Sequence, residues 1–508
     1  MAQFLWMDSI LLSNAQMGFV LVFVYIVTLA VYRLYLSPLA KFPGPRLAAL
    51  TLWYEFYYDV VQRGRYTWKI REMHRTYGPI VRINPYELHI DDPEYYDEIY
   101  TGPTKRRDKW AWSAAMFGNS SSHFGTVPHD QHRLRRAPLN PFFSKRSVTK
   151  LEPMIKSVVE SFCTRLRGFQ QTKEPVNLCH AFAALTMDVI TDYAFAKSYN
   201  CLDEPDFAPI WPEAIDSVSE QSHINKQFPW LLPVMRLMPL WLVARLNPHI
   251  MRLIGFQIDL AKQVSEVMEE NNVDSRTSGH QTIFQELVQT SELPPEEKKL
   301  RHLVDEGQSI VAAGQVTTTH YLNTTAYHVL ANPEILSKLK AELGEAMPNE
   351  SLPPSQKLEQ LPYLSAVVYE GYRISYGVTH RLQRVSPDAP LIYHDSVIPA
   401  GTPVGMTSIF MHENPKHFPE PKTFRPQRWL DPSERNRLGK YLVNFSKGTR
   451  GCLGQHLAQA EIYLTLAAMF RRFDMALYQT TREDIDVAHD FFNPQPKKGS
   501  MGLRVIVQ

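Results

Sequence analysis

Cys452 closes the run Phe445-Ser-Lys-Gly-Thr-Arg-Gly-Cys452, and Leu453 and Gly454 follow it. A lone cysteine is usually a small buried hydrophobe. Ordinary residue frequencies would nevertheless set Phe445, Gly448, Arg450, Cys452 and Gly454 at this spacing in a chain of this length only about once in 10,000 sequences. Gln455 to Phe470 then carry apolar residues at helical spacing, which predicts a helix starting just after the cysteine. The dipole and unpaired N–H groups of its first turn favour a thiolate. Gly448, Gly451 and Gly454 are expected to let the backbone turn tightly and bring those N–H groups to the sulfur.

The pattern F-x-x-G-x-R-x-C-x-G resembles the haem-ligand loop of the cytochrome P-450 family. That resemblance implies that Cys452 is the axial ligand of haem b iron and that Phe445, Gly448, Arg450 and Gly454 belong to the cofactor-binding loop. A thiolate in that position pushes electron density into the iron and favours O–O cleavage, as a monooxygenase requires. Further motifs occur in the family's order. Ala312-Ala-Gly-Gln-Val-Thr-Thr318 resembles the A/G-G-x-D/E-T-T oxygen-binding motif. There Ala313 and Gly314 are expected to leave room for dioxygen and substrate, and Thr317 to help deliver protons during oxygen activation. Val316 occupies the acid position and cannot relay a proton. Glu370-Gly-Tyr-Arg373 matches E-x-x-R, whose spacing puts both side chains on one helix face, and Phe424-Arg-Pro-Gln-Arg-Trp429 supplies Arg428 to complete a structural ion-pair triad. His132-Arg-Leu-Arg-Arg136 resembles the W-x-x-x-R haem-propionate contact with His132 in place of tryptophan. Arg136 can fork onto a carboxylate, and Arg450 and Arg384 are implied for the other propionate. Arg384 reads equally well as a solvated strand residue.

These groups need elements to hold them. The segment 307–333 has no formally charged residue, yet its Gln, Thr, Asn and His residues would be unpaired in lipid, so it reads as a long buried helix and not a membrane span. A helix is expected over 65–77, with strands over 80–83 and 87–90 around Asn84-Pro85. Helical periodicity prevails from about 151 to 304, and strand signals return near 391–393, 404–406 and 502–505. The fold class is mainly α with small peripheral β-sheets, as in the cytochrome P-450 fold, preceded by one N-terminal transmembrane helix. At 508 residues length alone would suggest about three domains, but no linker, repeat or low-complexity tract divides the chain. One catalytic domain over 51–508 is expected behind a membrane anchor at 1–36 and a proline-rich hinge at 37–50.

From Ser9 to Tyr32 no residue is charged, and as a helix that stretch spans roughly 36 Å against the ~30 Å hydrocarbon core. The span is placed at about 12–32. Arg33, Lys41 and Arg46 follow it and no Lys or Arg precedes it, which predicts an uncleaved single-pass anchor with the catalytic part cytoplasmic. By resemblance the membrane is the endoplasmic reticulum. A sequon at Asn444 argues against a lumenal domain, since a glycan beside the haem loop would block it. The net charge of +2 leaves no footprint for nucleic acid. Cys163, Cys179 and Cys201 lack metal-ligand or redox spacing and read as free thiols.

The chain resembles fungal membrane-bound cytochromes P-450 of secondary metabolism, such as trichodiene-oxygenase-like enzymes, through Val378-Thr-His-Arg-Leu-Gln-Arg-Val385, Lys440-Tyr-Leu-Val-Asn-Phe-Ser446 and His489-Asp-Phe-Phe-Asn-Pro494. The reaction this implies is insertion of one oxygen atom from dioxygen into a terpenoid, meroterpenoid or polyketide. Electrons come from NADPH through cytochrome P-450 reductase, with cytochrome b5 as a further partner. Arg133, Arg135, Lys145, Arg146, Lys440 and Lys447 are the cations expected to steer that partner, or else a solvated face. The expected pocket walls are Phe117, Phe124, Ala313, Val316, Val378, Thr379, Phe491 and Phe492. Two other classes fit less of the sequence: a haem-thiolate isomerase or dehydratase, suggested by Val316, and a non-catalytic haem-binding membrane protein.

Overall fold

A computed structural model describes residues 2–246, 248–270 and 282–508. Its centre is the helix Leu300–Leu330, packed along Leu178–Phe195 on one side and against Pro248–Glu270 and Pro362–Ser375 on others. The uncharged 307–333 segment is thus a core helix, ending at the Asn332-Pro333 boundary where proline disfavours continuation. Leu178–Phe195 is apolar nearly all round and correspondingly buried nearly all round. Gln455–Arg472 follows the cysteine loop as expected and packs on the amphipathic helix Lys145–Thr172.

The sheets are small and lie outside this helical core. Strands Ile80–Arg82, Leu88–Ile90, Pro403–Gly405 and Arg384–Val385 form one sheet in that order, with Leu88 paired parallel to Val404 and Arg384 antiparallel to it. Val176–Asn177, Arg504–Val507 and Met475–Leu477 form a second, and Leu391–Tyr393 pairs with Ser396–Ile398. His489–Phe491 and Asn493–Gln495 form a hairpin. Periodicity placed Ile80–Arg82, Leu88–Ile90, Leu391–Tyr393, Pro403–Gly405 and Arg504–Val507 within two residues but passed over the others, which at two or three residues are too short to show alternation reliably.

The N-terminal helix Ala2–Val31 continues as a wider turn through Leu36. Gln16–Leu36 has a mean hydropathy of 2.2 and none of it is buried, and it is the one helix among the described residues long and apolar enough to cross a bilayer. The proline-rich stretch after it is not a free linker. Leu39 and Phe42 are buried, Arg82 N donates to Pro43 O at 2.7 Å, and the Arg33 guanidinium reaches Leu50 O at 2.5 Å and the Tyr86 hydroxyl at 2.7 Å. This stretch is docked on the first sheet, so the direction in which the N-terminal helix leaves the body is fixed by these contacts.

Candidate haem site and active-site cavity

A cavity of about 330 Å³ opens between the helix Leu300–Leu330, the loop 445–454, the segment 109–136 and the hairpin tip at Phe492. Cys452 faces it. The Cys452 N–H donates to Phe445 O at 2.6 Å, and the Phe445 ring packs edge-on against Tyr372 at 5.3 Å. Gly448 has φ +73°, and a Cβ there would lie 2.1 Å from Thr101 O, so only glycine fits. It shapes the loop from outside the cavity wall and does not border it, unlike Gly454. The sulfur has accessible surface on the cavity yet lies deep in the protein, so burial pushes the free thiol's pKa up, while the Gly454 N–H and the Arg136 guanidinium pull it down. The expected N–H contact is present, but burial outweighs it. A metal that takes the sulfur reverses this, because a coordinating thiol is deprotonated outright.

One end of the cavity is strongly basic. Arg136, Arg384, Arg450 and Lys109 all line it, as does His132. Among the described residues none of the four cations has a side-chain carboxylate within ion-pair distance. Arg136 donates to Gly451 O at 2.6 Å and Thr449 O at 3.3 Å. Arg450 donates to Thr126 O and Val127 O, each at 2.7 Å, and Arg384 to Leu382 O and Gln383 O. Burial, then the neighbouring Arg384, brings the Arg450 pKa down to about 9. Arg384 is 4% exposed and sits over the Tyr100 ring, so the solvated-strand alternative fails. His132 is buried with Nδ1 unpartnered, and burial followed by Arg450 drives its pKa far down. Buried cations without counter-ions are costly. This set fits a ligand with two carboxylates, and a haem carries its two propionates on one edge. Lys109 escaped sequence reading because nothing in its local pattern marks it.

On the opposite wall Thr317 and Ala313 present accessible surface to the cavity, and the Thr317 hydroxyl donates to Ala313 O at 2.9 Å. Val316 lines it too, confirming that no acid is presented at that position. Gly314 borders the cavity, and its small size also serves the packing of the central helix. A Cβ there would lie 2.8 Å from Ile190 Cγ1, so glycine is what lets the central helix approach Leu178–Phe195. Thr318 bonds the carboxyl of Glu461, which burial pushes well above the ordinary carboxylate range. His320, one turn beyond Thr317, also lines the cavity, with burial lowering its pKa to about 4.

The roof is aromatic. Phe117, Phe124 and Phe492 surround one point, with ring centroids 5.0 Å apart for Phe117–Phe492, 5.7 Å for Phe124–Phe492 and 6.0 Å for Phe117–Phe124. Phe492 sits at φ +72° at the hairpin tip, a strained conformation for an aromatic residue. Its carbonyl is held by the N–H groups of Thr379 at 3.0 Å and His380 at 3.3 Å. Phe117, Phe124, Val378 and Phe492 line the cavity, whereas Thr379 and Phe491 do not. Thr379 is fully buried with its hydroxyl on Asp490 at 3.0 Å, and alternation along the strand turns Phe491 away toward His223. The 119–123 segment is tied to the central helix by Ser121 N to Asp305 at 3.1 Å, His123 N to Glu306 at 2.8 Å and Asn119 to Ser309 at 2.7 Å.

Behind the cysteine loop, Glu370 is fully buried and accepts from Arg373 at 2.7 and 3.0 Å and from Arg428 at 3.4 Å. Sequence reading missed two further donors, Arg425 N and Trp429 Nε1, each at 2.8 Å. The carboxylate thus gathers the 424–429 segment onto the helix Pro362–Ser375.

The family model for cytochrome P450 matches residues 44–500. A tryptophan 6-hydroxylase of Fusarium equiseti is 48% identical over 483 residues, covering 95% of this chain and 94% of its own length. An N-acetyltryptophan 6-hydroxylase of Emericella nidulans is 48% identical over 494 residues, with 96% of each chain covered. A cytochrome P450 monooxygenase of Cochliobolus heterostrophus, tpcC, is 43% identical over 502 residues, with 95% of each chain covered. An N-terminal helix apart, the matched region is the whole body that surrounds the cavity, and the chain accordingly belongs to the cytochrome P450 family, as a haem-thiolate monooxygenase supplied with NADPH-derived electrons through a reductase.

Proposed function

We propose that this monooxygenase hydroxylates an aromatic secondary metabolite while anchored to the endoplasmic reticulum membrane by its N-terminal helix, with the catalytic body in the cytoplasm. The observation that carries the substrate class is the roof of Phe117, Phe124 and Phe492, in which Phe492 meets both other rings edge to face, a geometry that extends onto a flat aromatic guest. Two relatives named for hydroxylating tryptophan and N-acetyltryptophan support an aromatic ring over the terpenoid, meroterpenoid or polyketide scaffolds that the sequence resemblance implied.

Cys452 would supply the thiolate to haem iron, and Arg136, His132, Arg450 and Arg384 would hold the propionates. When bound, haem supplies activation of dioxygen and transfer of one oxygen atom to the substrate. The chain's own work is placement, dryness and protons. The phenylalanine roof holds the ring and excludes water. Thr317 keeps its hydroxyl hydrogen on Ala313 O, which leaves its oxygen free to accept from a water in the cavity and to pass a proton on after rotation. With Val316 beside it, this hydroxyl has no carboxylate to draw on from its own helix turn. Glu370, Arg373 and Arg428 fix the proximal frame. Arg133, Arg146 and Lys440 are exposed cations available to a reductase. Arg135 is instead buried in an ion pair with Glu297 at 2.8 Å, and Lys145 and Lys447 pair with Glu359 and Asp97.

The test is reconstitution with reductase and NADPH on aromatic and terpenoid candidates, with Cys452→Ala as the control that should lose the long-wavelength Soret band of the ferrous carbon monoxide complex. Turnover of a terpenoid and of no aromatic compound would sink the substrate reading. Retention of the band in Cys452→Ala would sink the ligand assignment.

A further inference from the structure

We propose that the imidazole of His380 accepts a hydrogen bond from the substrate, so that the enzyme takes an aromatic ring bearing its own N–H or O–H group. The inference rests on the aromatic reading above and adds to it the atom that orients the ring.

His380 lies in the loop after the helix Pro362–Ser375 and lines the cavity at its roof, with its ring centroid 6.2 Å from that of Phe492. Its backbone N–H donates to Phe492 O at 3.3 Å, so the imidazole and the strained hairpin tip are held together. The residue is 1% exposed, yet neither ring nitrogen has a hydrogen-bond partner. Buried polar atoms are normally satisfied. One left open on the wall of the substrate space is a place for a ligand atom.

Asp490 decides which nitrogen is open. His380 Nδ1 stands 3.6 Å from Asp490 Oδ2, beyond hydrogen-bond reach but facing it. That carboxylate accepts from Thr67 Oγ1 at 2.6 Å and from Thr379 Oγ1 and Phe492 N, each at 3.0 Å, so it is fixed in place and offers no donor. The ring proton belongs on Nδ1, toward this acceptor. Burial, against the pull of Asp490, lowers the His380 pKa to about 3, which leaves a neutral ring with the Nε2 lone pair as its one acceptor. The other imidazole nearby, His223 at 5.7 Å, turns Nε2 to Asp490 O at 2.6 Å and Nδ1 toward Asp59 at 3.3 Å.

A second open atom has the same sense. Asn119 lines the cavity two residues after Phe117; its Nδ2 donates to Ser309 Oγ at 2.7 Å, and that hydroxyl donates to Asp305 O at 2.9 Å, which leaves Asn119 Oδ1 without a partner. Both atoms are acceptors, so the group they lack is a donor. An ether or a bare hydrocarbon cannot satisfy Nε2. A ring N–H or O–H can, with the ring face packed under Phe492, and a site built this way rejects the analogue that lacks the hydrogen.

The experiment is a Soret spin-shift titration of the full-length holoenzyme with two isomers of equal size, 2,3-dimethylindole, which keeps the ring N–H, and 1,3-dimethylindole, which lacks it. Farnesol and its methyl ether serve as an aliphatic pair. The wild type should bind the N–H isomer about three- to ten-fold more tightly, as expected for one net hydrogen bond. His380→Phe keeps the bulk of the ring and offers no acceptor; it should erase that preference by weakening the N–H isomer alone, with the ferrous carbon monoxide spectrum retained. His380→Leu carries the same expectation, and His380→Gln, whose amide oxygen accepts, should keep part of the preference. Equal affinity of the two isomers in the wild type would overturn the proposal, since water would then suffice for Nε2. So would a preference that survives His380→Phe or His380→Leu, because another acceptor would then hold the donor. Loss of haem-bound protein in all three variants alike would overturn it as well, by making His380 a structural residue. A shift from the aliphatic pair alone would overturn the aromatic reading, and the comparison of alcohol with ether would still judge the acceptor. No shift from any of the four would overturn both.

Discussion

Replacing Gly314 by alanine should weaken the enzyme by crowding a helix interface, with little direct loss of room for oxygen. The added Cβ would stand 2.8 Å from Ile190 Cγ1, 3.1 Å from Ile190 Cβ and 3.2 Å from Ile190 Cδ1. Carbon atoms prefer about 3.5–4.0 Å, so the two helices or the Ile190 rotamer must give by more than half an ångström. Overpacking of that kind costs typically 1–3 kcal/mol. Against it stands the helix propensity of alanine over glycine, worth about 1 kcal/mol. The net expectation is a loss of up to about 2 kcal/mol, and the discriminating variant is the double change Gly314→Ala with Ile190→Ala, which removes the clashing atoms. Ile190→Ala alone should cost about 2–5 kcal/mol by leaving a cavity, and the pair should cost less than the sum of the two. The assay is denaturant or thermal unfolding of the purified holoenzyme, followed by far-UV circular dichroism and by the Soret band. A Gly314→Ala enzyme at least as stable as wild type, or strictly additive effects in the pair, would refute the packing account. An unchanged stability with product formation alone lost would return Gly314 to the oxygen site.

Thr317→Ala should let NADPH oxidation continue while diverting it to hydrogen peroxide, since Val316 offers no acid to substitute; one general acid–base contact is typically worth roughly 10²–10⁴-fold, and unchanged product per NADPH would show that protons arrive by another route. Glu370→Ala leaves the fully buried Arg373 unpaired and frees Arg425 N and Trp429 Nε1; the expected cost is about 3–5 kcal/mol, read as loss of haem-bound folded protein, and a variant with wild-type unfolding and haem content would contradict it. Deleting residues 1–31 should release the enzyme from membranes with its haem spectrum intact. Extending the deletion through residue 36 also removes Arg33 from Leu50 O and Tyr86, so the longer deletion should be the less stable of the two; equal stability would mean that the docked hinge contributes nothing.

The parts of the site that were legible in the sequence are those whose spacing is set by one local element. Cys452 and its glycines sit in one loop, Glu370 and Arg373 on one helix turn, Ala313 to Thr317 on one helix face, and each recurs in the structure where its spacing implied. Arg384 could not be decided from its neighbours, because whether a strand residue faces solvent or a cavity depends on what the sheet packs against. Thr379 and Phe491 were misplaced for related reasons: Phe491 ends a three-residue strand, where a shift of one position turns a side chain to the other face, and Thr379 lies in a loop, where no period fixes a side chain's direction. The packing role of Gly314 was not legible, since its neighbour Ile190 lies on a helix more than a hundred residues earlier.

Lys109 illustrates what a cavity adds to a motif. In the chain it stands between Asp108 and Trp110, where a solvated cation would be the ordinary reading. Folding instead brings it beside Arg384 and Arg450, from distant parts of the sequence, with backbone carbonyls as their only described protein acceptors. An arrangement of this kind is unfavourable on its own, and it persists only if the functional state supplies the missing negative charge. Haem, with its two propionates, would supply that charge. The same imbalance therefore points to the cofactor without any motif, because two carboxylates at one edge are what a cluster of unpaired cations from distant parts of the chain lacks.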